Sequence, residues 1–304
     1  MAEKSKLKKV GEWMGIYLNP GSAMFQKSLK SKIYVDKSGL LAILNELVDT
    51  EQRYVCVSRP RRFGKSMAAN MLAAYYGSSE DASALFESLE ISQCTGYRDH
   101  LNQYDVLKIN MQDFLRVWLK DKEYVGLAYM TGILPIKKYG SHSALNMFTE
   151  YSMTNPREMA GYFGFTEDEV NMLCETYQRS FDETQAWYDG YDLVMFYGTV
   201  QKTYAMYSPK SVVEAMLSGV YDNYWNQTES YEALKVYIQM NYGGLKEAIV
   251  RMLAGDRVQI NTGTFSNDMT TFETKDDVLT LLVHLGYLSY HWPDKTVTIP
   301  NKEV

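Results

Sequence analysis

The segment from Val57 to Met67, VSRPRRFGKSM, carries residue types that a phosphate-binding loop requires. Gly64, Lys65 and Ser66 fill the last three positions of the pattern GxxxxGK[S/T]. In such a loop, glycine lets the backbone approach the phosphates, lysine reaches their β and γ oxygens, and serine binds Mg²⁺. Backbone N–H groups and the N-terminus of the following helix complete the anion cradle. The pattern therefore predicts a nucleotide site.

The beginning of the loop departs from this pattern. The first glycine of the motif would fall at Arg59, and arginine fits there only if its backbone is not left-handed. Pro60 stiffens the turn, and two arginines add positive charge beside the expected phosphates. The alternative interpretation is a basic turn that contains GKS by chance. The predicted nucleotide-binding residues are Arg59, Pro60, Arg61, Arg62, Phe63, Gly64, Lys65, Ser66 and Met67.

Strand and helix signals alternate around this loop. Residues 53–58 form a short apolar, β-branched run that predicts a buried strand, and residues 65–77 predict a helix that ends at Gly77. Residues 105–111 and 124–132 predict two further strands. This alternation indicates an α/β fold with a parallel sheet and crossover helices.

The second half of the chain is predicted to be mainly helical. Capping boxes begin at Thr166, Ser180 and Thr274, and Ser208-Pro209 marks another helix start. Two β-prone runs around a Pro-Asp turn follow the last helix, which predicts a winged-helix-like end. The predicted regions are an N-terminal tail (1–30), a P-loop NTPase-like α/β domain (31–140), a helical region (141–220) and a winged-helix-like domain (221–304).

Composition narrows the function classes. The 304 residues carry a formal net charge of −6. The chain as a whole is therefore not a polycation that would coat DNA or anionic membranes. Three cysteines and four histidines are scattered without metal-ligand spacing. There is no secretory signal and no apolar run long enough to span a bilayer, so the sequence predicts a reduced, cytoplasmic protein.

Several strings resemble one family along nearly the whole chain. SRPRRFGKSM resembles the loop of the predicted AAA-ATPase-like family of bacterial proteins, and also the PRRxGK loops of archaeal and signal-transduction ATPases. IYVDKSGLL before the first strand and AYMTGILPI in a later strand are similar to family segments. Further similar strings are WYDGY, YSPKSV, YWNQT and LGYL with IPNKEV.

This resemblance implies an ATP-binding P-loop module that uses Mg²⁺ through Ser66. It implies a sensor at Thr131, and it places Asp36 and Lys37 near the base of the nucleotide. Members of the family commonly continue into a C-terminal restriction-endonuclease-like domain. The sequence shows no block of that nuclease type before Val304, so we expect no hydrolytic DNA chemistry from this polypeptide.

The strand that should supply the Walker B acids is missing from the sequence pattern. An ATPase needs an acid that holds the Mg²⁺ water shell and an adjacent glutamate that polarises the attacking water. Between the NMQDF and AYMTG segments the chain has only LRVWLKDKEYVGL, without an apolar run followed by Asp-Glu. Asp113 is a weak substitute and fits a helix-start acid better. We therefore expect ATP binding with weak or absent hydrolysis.

Two other interpretations stay open. The chain could be an interaction module with a vestigial P-loop, in which the C-terminal region binds a protein, a second copy or DNA; the net charge weakens the case for DNA. It could also be a truncated product without a stable role, in which case we expect a core that unfolds without cooperativity.

Overall fold

The computed structural model describes residues 18–109, 125–135, 147–197, 200–225, 242–265 and 272–304. The chain divides into two units. The first unit comprises Met1–Arg53 and Gly64–Leu127, and the second comprises Tyr54–Phe63 and Ala128–Val304. The four consecutive regions predicted from the sequence stay a prediction.

The described part of the first unit is helical. Its longest described helix, α3, begins directly after Gly64 and ends before Gly77, as predicted. Alanine, methionine and leucine favour this helix, and its second half is buried from Met71 to Tyr76. The helices are α1 (Ala23–Leu29), α2 (Gly39–Leu47), α3 (Lys65–Tyr76), α4 (Ser83–Phe86) and α5 (Tyr97–His100).

The strand predicted over residues 105–111 is wrong in the part that the structure describes. Residues 105–109 form no ladder and contribute one isolated antiparallel bridge, between Leu107 and Leu18. The side chain of Leu107 is 49% exposed, although a central strand would bury such a residue. An apolar run of this length does not by itself distinguish a strand from an extended segment at the surface. Residues 110 and 111 lie outside the described residues.

The second unit contains the parallel sheet that the sequence predicted. Strand β1 (Tyr54–Ser58) is fully buried and lies between β2 (Ala128–Gly132) and β3 (Thr149–Tyr151). Both neighbours run parallel to it. The predicted strands 53–58 and 124–132 are thus confirmed, the second of them shortened at its start.

A second sheet, which is antiparallel, was not predicted. Strands β4 (Phe165–Thr166), β5 (Tyr191–Tyr197) and β6 (Val200–Tyr207) pair in the order β4-β6-β5. The region 141–220 is therefore not simply helical, which corrects that expectation. Tyrosine and β-branched residues favour the β5–β6 hairpin. The helices of this part are α6 (Glu167–Tyr177), α7 (Phe181–Tyr188) and α8 (Pro209–Ser218).

The predicted helix starts are confirmed at the residue level. Thr166 and Thr274 form complete capping boxes, and the Ser180 side chain accepts from the N–H of Glu183. Ser208 precedes a proline at the first helical position, and its side chain forms no cap bond to the helix backbone. The other α-helices and strands of the described residues are α9 (Leu245–Leu253), β7 (Val258–Gln259), α10 (Lys275–Leu285), β8 (Ser289–His291) and β9 (Thr296–Thr298).

The end of the chain forms a small sheet beside α10. The predicted terminal hairpin is confirmed as β8 and β9, and β7 adds a third strand in the order β7-β9-β8. Helix α10 is buried along almost its whole length, and it belongs to the main hydrophobic core of this unit. The sequence ESYEALKVYIQMNY at residues 229–242 also predicts a helix, but all of it except its last position lies outside the described residues. Whether this arrangement is a winged helix stays a prediction.

Candidate functional site

The parallel sheet places the loop and Thr131 at the same edge. Strands β1 and β2 pair in register, with Val57 opposite Thr131 and Ser58 opposite Gly132. Arg59, the first residue after β1, donates its N–H to the carbonyl of Gly132 at 3.2 Å. Ligands of parallel α/β sheets bind beyond the carboxyl ends of the strands. Thr131 thus lies at the edge where a sensor residue would have to lie.

The backbone of the loop turns at two left-handed residues. Arg62 has φ 68° and Gly64 has φ 81°, whereas Arg59 is not left-handed. The condition under which arginine can replace the first motif glycine is therefore met. A Cβ atom at Gly64 would meet no other atom within 4 Å. Open space at this point is what the close approach of a phosphate to the backbone requires.

Arg59 is directed into the protein. Its side chain is 0% exposed, and Nη1 donates to the carbonyls of Ser58 and Tyr151, both at 2.8 Å. The guanidinium also lies over the ring of Phe163, 5.5 Å from its centroid, and a longer bond of 3.4 Å reaches the carbonyl of Met159. Burial lowers the pKa of Arg59 to about 10, so it stays charged at neutral pH. Only the backbone of Arg59 is therefore placed to contact a nucleotide.

Pro60 and Phe63, like Arg59, belong to the second unit and are packed within it. Pro60 is buried beside Gly286. A Cβ atom added at Gly286 would come within 2.9 Å of the Cβ atom of Pro60. Phe63 is 0% exposed, and its ring meets that of Tyr191 edge-on, with centroids 5.5 Å apart. Phe63 and Tyr191 both belong to the main core of this unit.

The two middle arginines have different surroundings. Arg61 is exposed. The guanidinium of Arg62 donates to the carbonyls of Tyr224 and Trp225, the second at 3.1 Å. The charge of Arg62, which the sequence places beside the phosphates, is thus bonded to protein carbonyls. Arg61 keeps its charge exposed.

The start of α3 has the features of an anion site. Gly64 is its N-cap and forms no side-chain cap, and the first turn contains no acidic residue. The first N–H that bonds back to Gly64 is that of Ala68, at 2.9 Å. Ser66 and Met67 are exposed, and Lys65 is half-buried. The backbone and the serine hydroxyl at this end therefore fit a phosphate and a Mg²⁺ bound with it.

Asp36 is placed by its own hydrogen bonds in the first unit. Its carboxylate accepts from the N–H of Ser38 at 2.8 Å and from the N–H of Glu90 at 2.6 Å. These bonds fix the start of α2, and Lys37 lies between the two residues, half-buried. The role of Asp36 and Lys37 near a nucleotide base stays a prediction. Asp113 and the expected gap in the sheet after residue 111 lie outside the described residues.

A histidine is buried near the Arg59 side of the loop. His284, on α10, is 2% exposed, and its ring stacks on that of Phe265 with centroids 5.6 Å apart. Its Nδ1 atom has no hydrogen-bond partner in the structure. Burial, with a smaller contribution from the charge of Arg59, lowers the pKa of His284 to about 3. The imidazole is therefore neutral in the folded protein.

Sequence reasoning missed the residues that contact the loop but lie far from it along the chain. Tyr151 and Met159 accept from Arg59, and Glu303 binds the segment that Arg62 contacts. The separation from Arg59 is 92 residues for Tyr151 and 100 for Met159. No local pattern signals such contacts. The resemblance of IPNKEV to the family assigns no role to its glutamate.

Comparison with known families identifies the segment around this loop. Residues 22–120 match the family model AAA-ATPase-like, described as Predicted AAA-ATPase. Residues 22–120 belong to the AAA-ATPase-like family. No curated protein and no solved structure matches the chain. The AAA-ATPase-like match includes the whole loop and ends before Thr131, so a nucleotide-binding function is indicated for the loop.

Two negative findings apply to the described residues alone. Within the ranges that the structure describes, no helix is long and apolar enough to cross a membrane. In those same ranges no group of three or more His, Cys, Asp or Glu side chains could hold a metal ion.

Proposed function

We propose that the chain binds ATP with Mg²⁺ at the loop from Arg59 to Met67. The observation that carries this proposal is the start of α3. An uncapped helix N-terminus without acidic residues follows a left-handed glycine that faces open space. The AAA-ATPase-like match over the same residues supports it.

We propose roles for individual residues from the phosphate-loop pattern and the resemblance to the family. Backbone N–H groups from Arg62 to Ser66 form the anion cradle, Lys65 contacts the β and γ phosphates, and the Ser66 hydroxyl binds Mg²⁺. Thr131 senses the γ-phosphate from the carboxyl end of β2. Mg²⁺ would neutralise phosphate charge, and the protein side chains orient the phosphates around it.

We further propose that hydrolysis is weak or absent. The support is the sequence between residues 115 and 127, which contains no apolar run followed by Asp-Glu. Without such acids the water shell of Mg²⁺ and the attacking water lack their usual orienting groups. Steady-state phosphate release tests this proposal. A Lys65-dependent turnover in the ordinary enzyme range, about 1 per second or faster, would overturn it.

Thermal unfolding with and without Mg-ATP tests binding. A ligand at about 100 times its dissociation constant adds about 2.7 kcal/mol to the free energy of unfolding, which raises Tm by several degrees. We expect this shift in the wild type and its loss in Lys65→Ala. The matched control is Lys27→Ala, which removes an exposed lysine from α1 and should keep the shift.

Either negative result would be informative. Equal shifts in the wild type and Lys65→Ala would show that ATP binds elsewhere. A cooperative transition that Mg-ATP does not move would overturn nucleotide binding and favour the alternative, a protein- or DNA-interaction module with a vestigial loop.

A further inference from the structure

The carboxylate of Glu303 is buried at the backbone of a distant segment. Glu303 is 2% exposed, and its Oε1 accepts from the N–H groups of Tyr224 and Trp225, both at 2.9 Å. Its own carbonyl accepts from the Asn223 side chain. Burying a carboxylate is costly unless strong hydrogen bonds compensate it. This arrangement therefore fixes the segment 223–225 tightly.

The tail that carries Glu303 is itself folded by a side chain. The Asn301 amide oxygen accepts from the N–H groups of Glu303 at 3.1 Å and Val304 at 3.2 Å. The other end of this amide donates to the carbonyl of Asp189 at 2.7 Å. Glu303 is thus held in place from its own side as well.

Arg62 of the phosphate loop binds the same segment from its opposite side. Its guanidinium donates to the carbonyls of Tyr224 and Trp225. The peptide group that joins these two residues therefore donates its N–H to Glu303 and accepts at its C=O from Arg62. A peptide group between a carboxylate and a guanidinium is polarised by both, which strengthens both bonds.

The backbone of Arg62 needs such support. Its φ of 68° lies in the left-handed region, which costs a non-glycine residue free energy and persists only where the surroundings impose it. Burial raises the pKa of Glu303, and the hydrogen bonds and the charge of Arg62 oppose that rise. The two charges thus stabilise each other through the segment that they share.

We propose that Glu303 is a positioning residue for the phosphate loop, because it holds Tyr224 and Trp225 where their carbonyls fix Arg62 in its left-handed conformation. The hold of Glu303 on the loop does not depend on the proposed function. Only its consequence, a preformed anion cradle for the nucleotide, rests on that function. Arg62 is then an anchor of the loop rather than a phosphate ligand. Loss of Glu303 releases the loop and weakens nucleotide binding, although the residue touches no nucleotide.

The first test needs no nucleotide. Trypsin can cleave after Arg61, Arg62 and Lys65, and a fixed loop resists it. We expect Glu303→Ala to be cut at these bonds about tenfold faster than the wild type, since each tenfold corresponds to about 1.4 kcal/mol of local opening. Glu303→Gln retains an oxygen acceptor for both N–H groups and should restore most of the protection. Val297→Ala is the control, because it removes part of a fully buried side chain of β9 that pairs with Val258 and Tyr290.

The second test measures the Mg-ATP dissociation constant of the same four proteins. We expect the order wild type, Glu303→Gln, Glu303→Ala from tightest to weakest, with Val297→Ala close to the wild type. Equal cleavage of Glu303→Ala and Val297→Ala at matched Tm would overturn the inference, whatever the wild type binds. If the wild type binds no Mg-ATP, the proposed function fails, and faster loop cleavage in Glu303→Ala still supports the hold of Glu303 on the loop.

Discussion

From Arg59 to Phe63 most of the loop's side chains are buried or bonded to protein, whereas from Gly64 to Met67 the chain is largely open to solvent. The first part ends a buried parallel strand and packs against the main core of the second unit. The second part is a glycine and the first turn of a helix. The two parts meet within one short segment, yet different forces determine their structures.

This difference shows how the loop could be a site although its first motif glycine is absent. Anion cradles gain affinity when their N–H groups are already oriented, because no ordering remains to be done on binding. The buried part supplies that order, through Arg59 and Phe63. The open part supplies the N–H groups and the space at Gly64. Disrupting the two parts should therefore have separate effects, on stability and on binding.

The largest expected effect is at Arg59. Arg59→Met leaves the carbonyls of Ser58 and Tyr151 without a charged donor, and each such bond is worth about 1.5–3 kcal/mol, so we expect a loss of about 4 kcal/mol in the free energy of unfolding. Arg61→Met is the matched control, because it removes the same charge from an exposed position; we expect a change within about 0.5 kcal/mol. Urea unfolding of both variants measures the difference. Similar values for the two would contradict the assignment of Arg59 as the buried anchor.

Two left-handed glycines provide the next comparison. A Cβ atom at Gly286 would come within 2.6 Å of Trp225 and 2.9 Å of Pro60, so Gly286→Ala combines backbone strain with overpacking and should cost about 3 kcal/mol. Gly64→Ala meets no atom within 4 Å and should cost only the strain of its φ, about 1–2 kcal/mol.

Nucleotide binding should respond in the opposite order. Gly64→Ala introduces a methyl group where the phosphate would approach, so we expect the Tm shift with Mg-ATP to be lost although the protein stays folded. Gly286→Ala should retain the Tm shift with Mg-ATP, measured from its own lower Tm. A normal shift in Gly64→Ala would place the phosphate elsewhere.

The sequence predicted the open part of the loop better than the buried part. Gly64, Lys65 and Ser66 are recognisable because the cradle is built from neighbouring residues, and helix α3 follows from local propensity. The capping boxes at Thr166 and Thr274 were predictable for the same reason. The role of Arg59 was not predictable, because the carbonyls of Tyr151 and Met159 that accept from it lie far along the chain and no local rule selects them.

The errors at the level of strands have a similar cause. Residues 105–109 are apolar enough for a strand, but pairing depends on which backbone lies beside them. The β5–β6 hairpin was missed because it lies between two clear helix patterns, and no local pattern indicates that its two strands pair. Non-local pairing decided both outcomes.

The smallest expected effect is a pH dependence at His284, on the buried side of the comparison. Its pKa is about 3 in the folded protein and about 6.5 when unfolded, so below pH 6.5 the unfolded chain binds one more proton. The free energy of unfolding should therefore be unaffected above pH 6.5 and fall by about 1.4 kcal/mol per pH unit below it. His284→Met replaces the imidazole with an apolar side chain of similar length that cannot titrate. Urea unfolding at pH 7.5 and 5.5 should show a loss that is about 1 kcal/mol smaller in this variant. Equal losses would mean that the imidazole of His284 is more accessible in the folded protein than its burial and its stacking on Phe265 indicate.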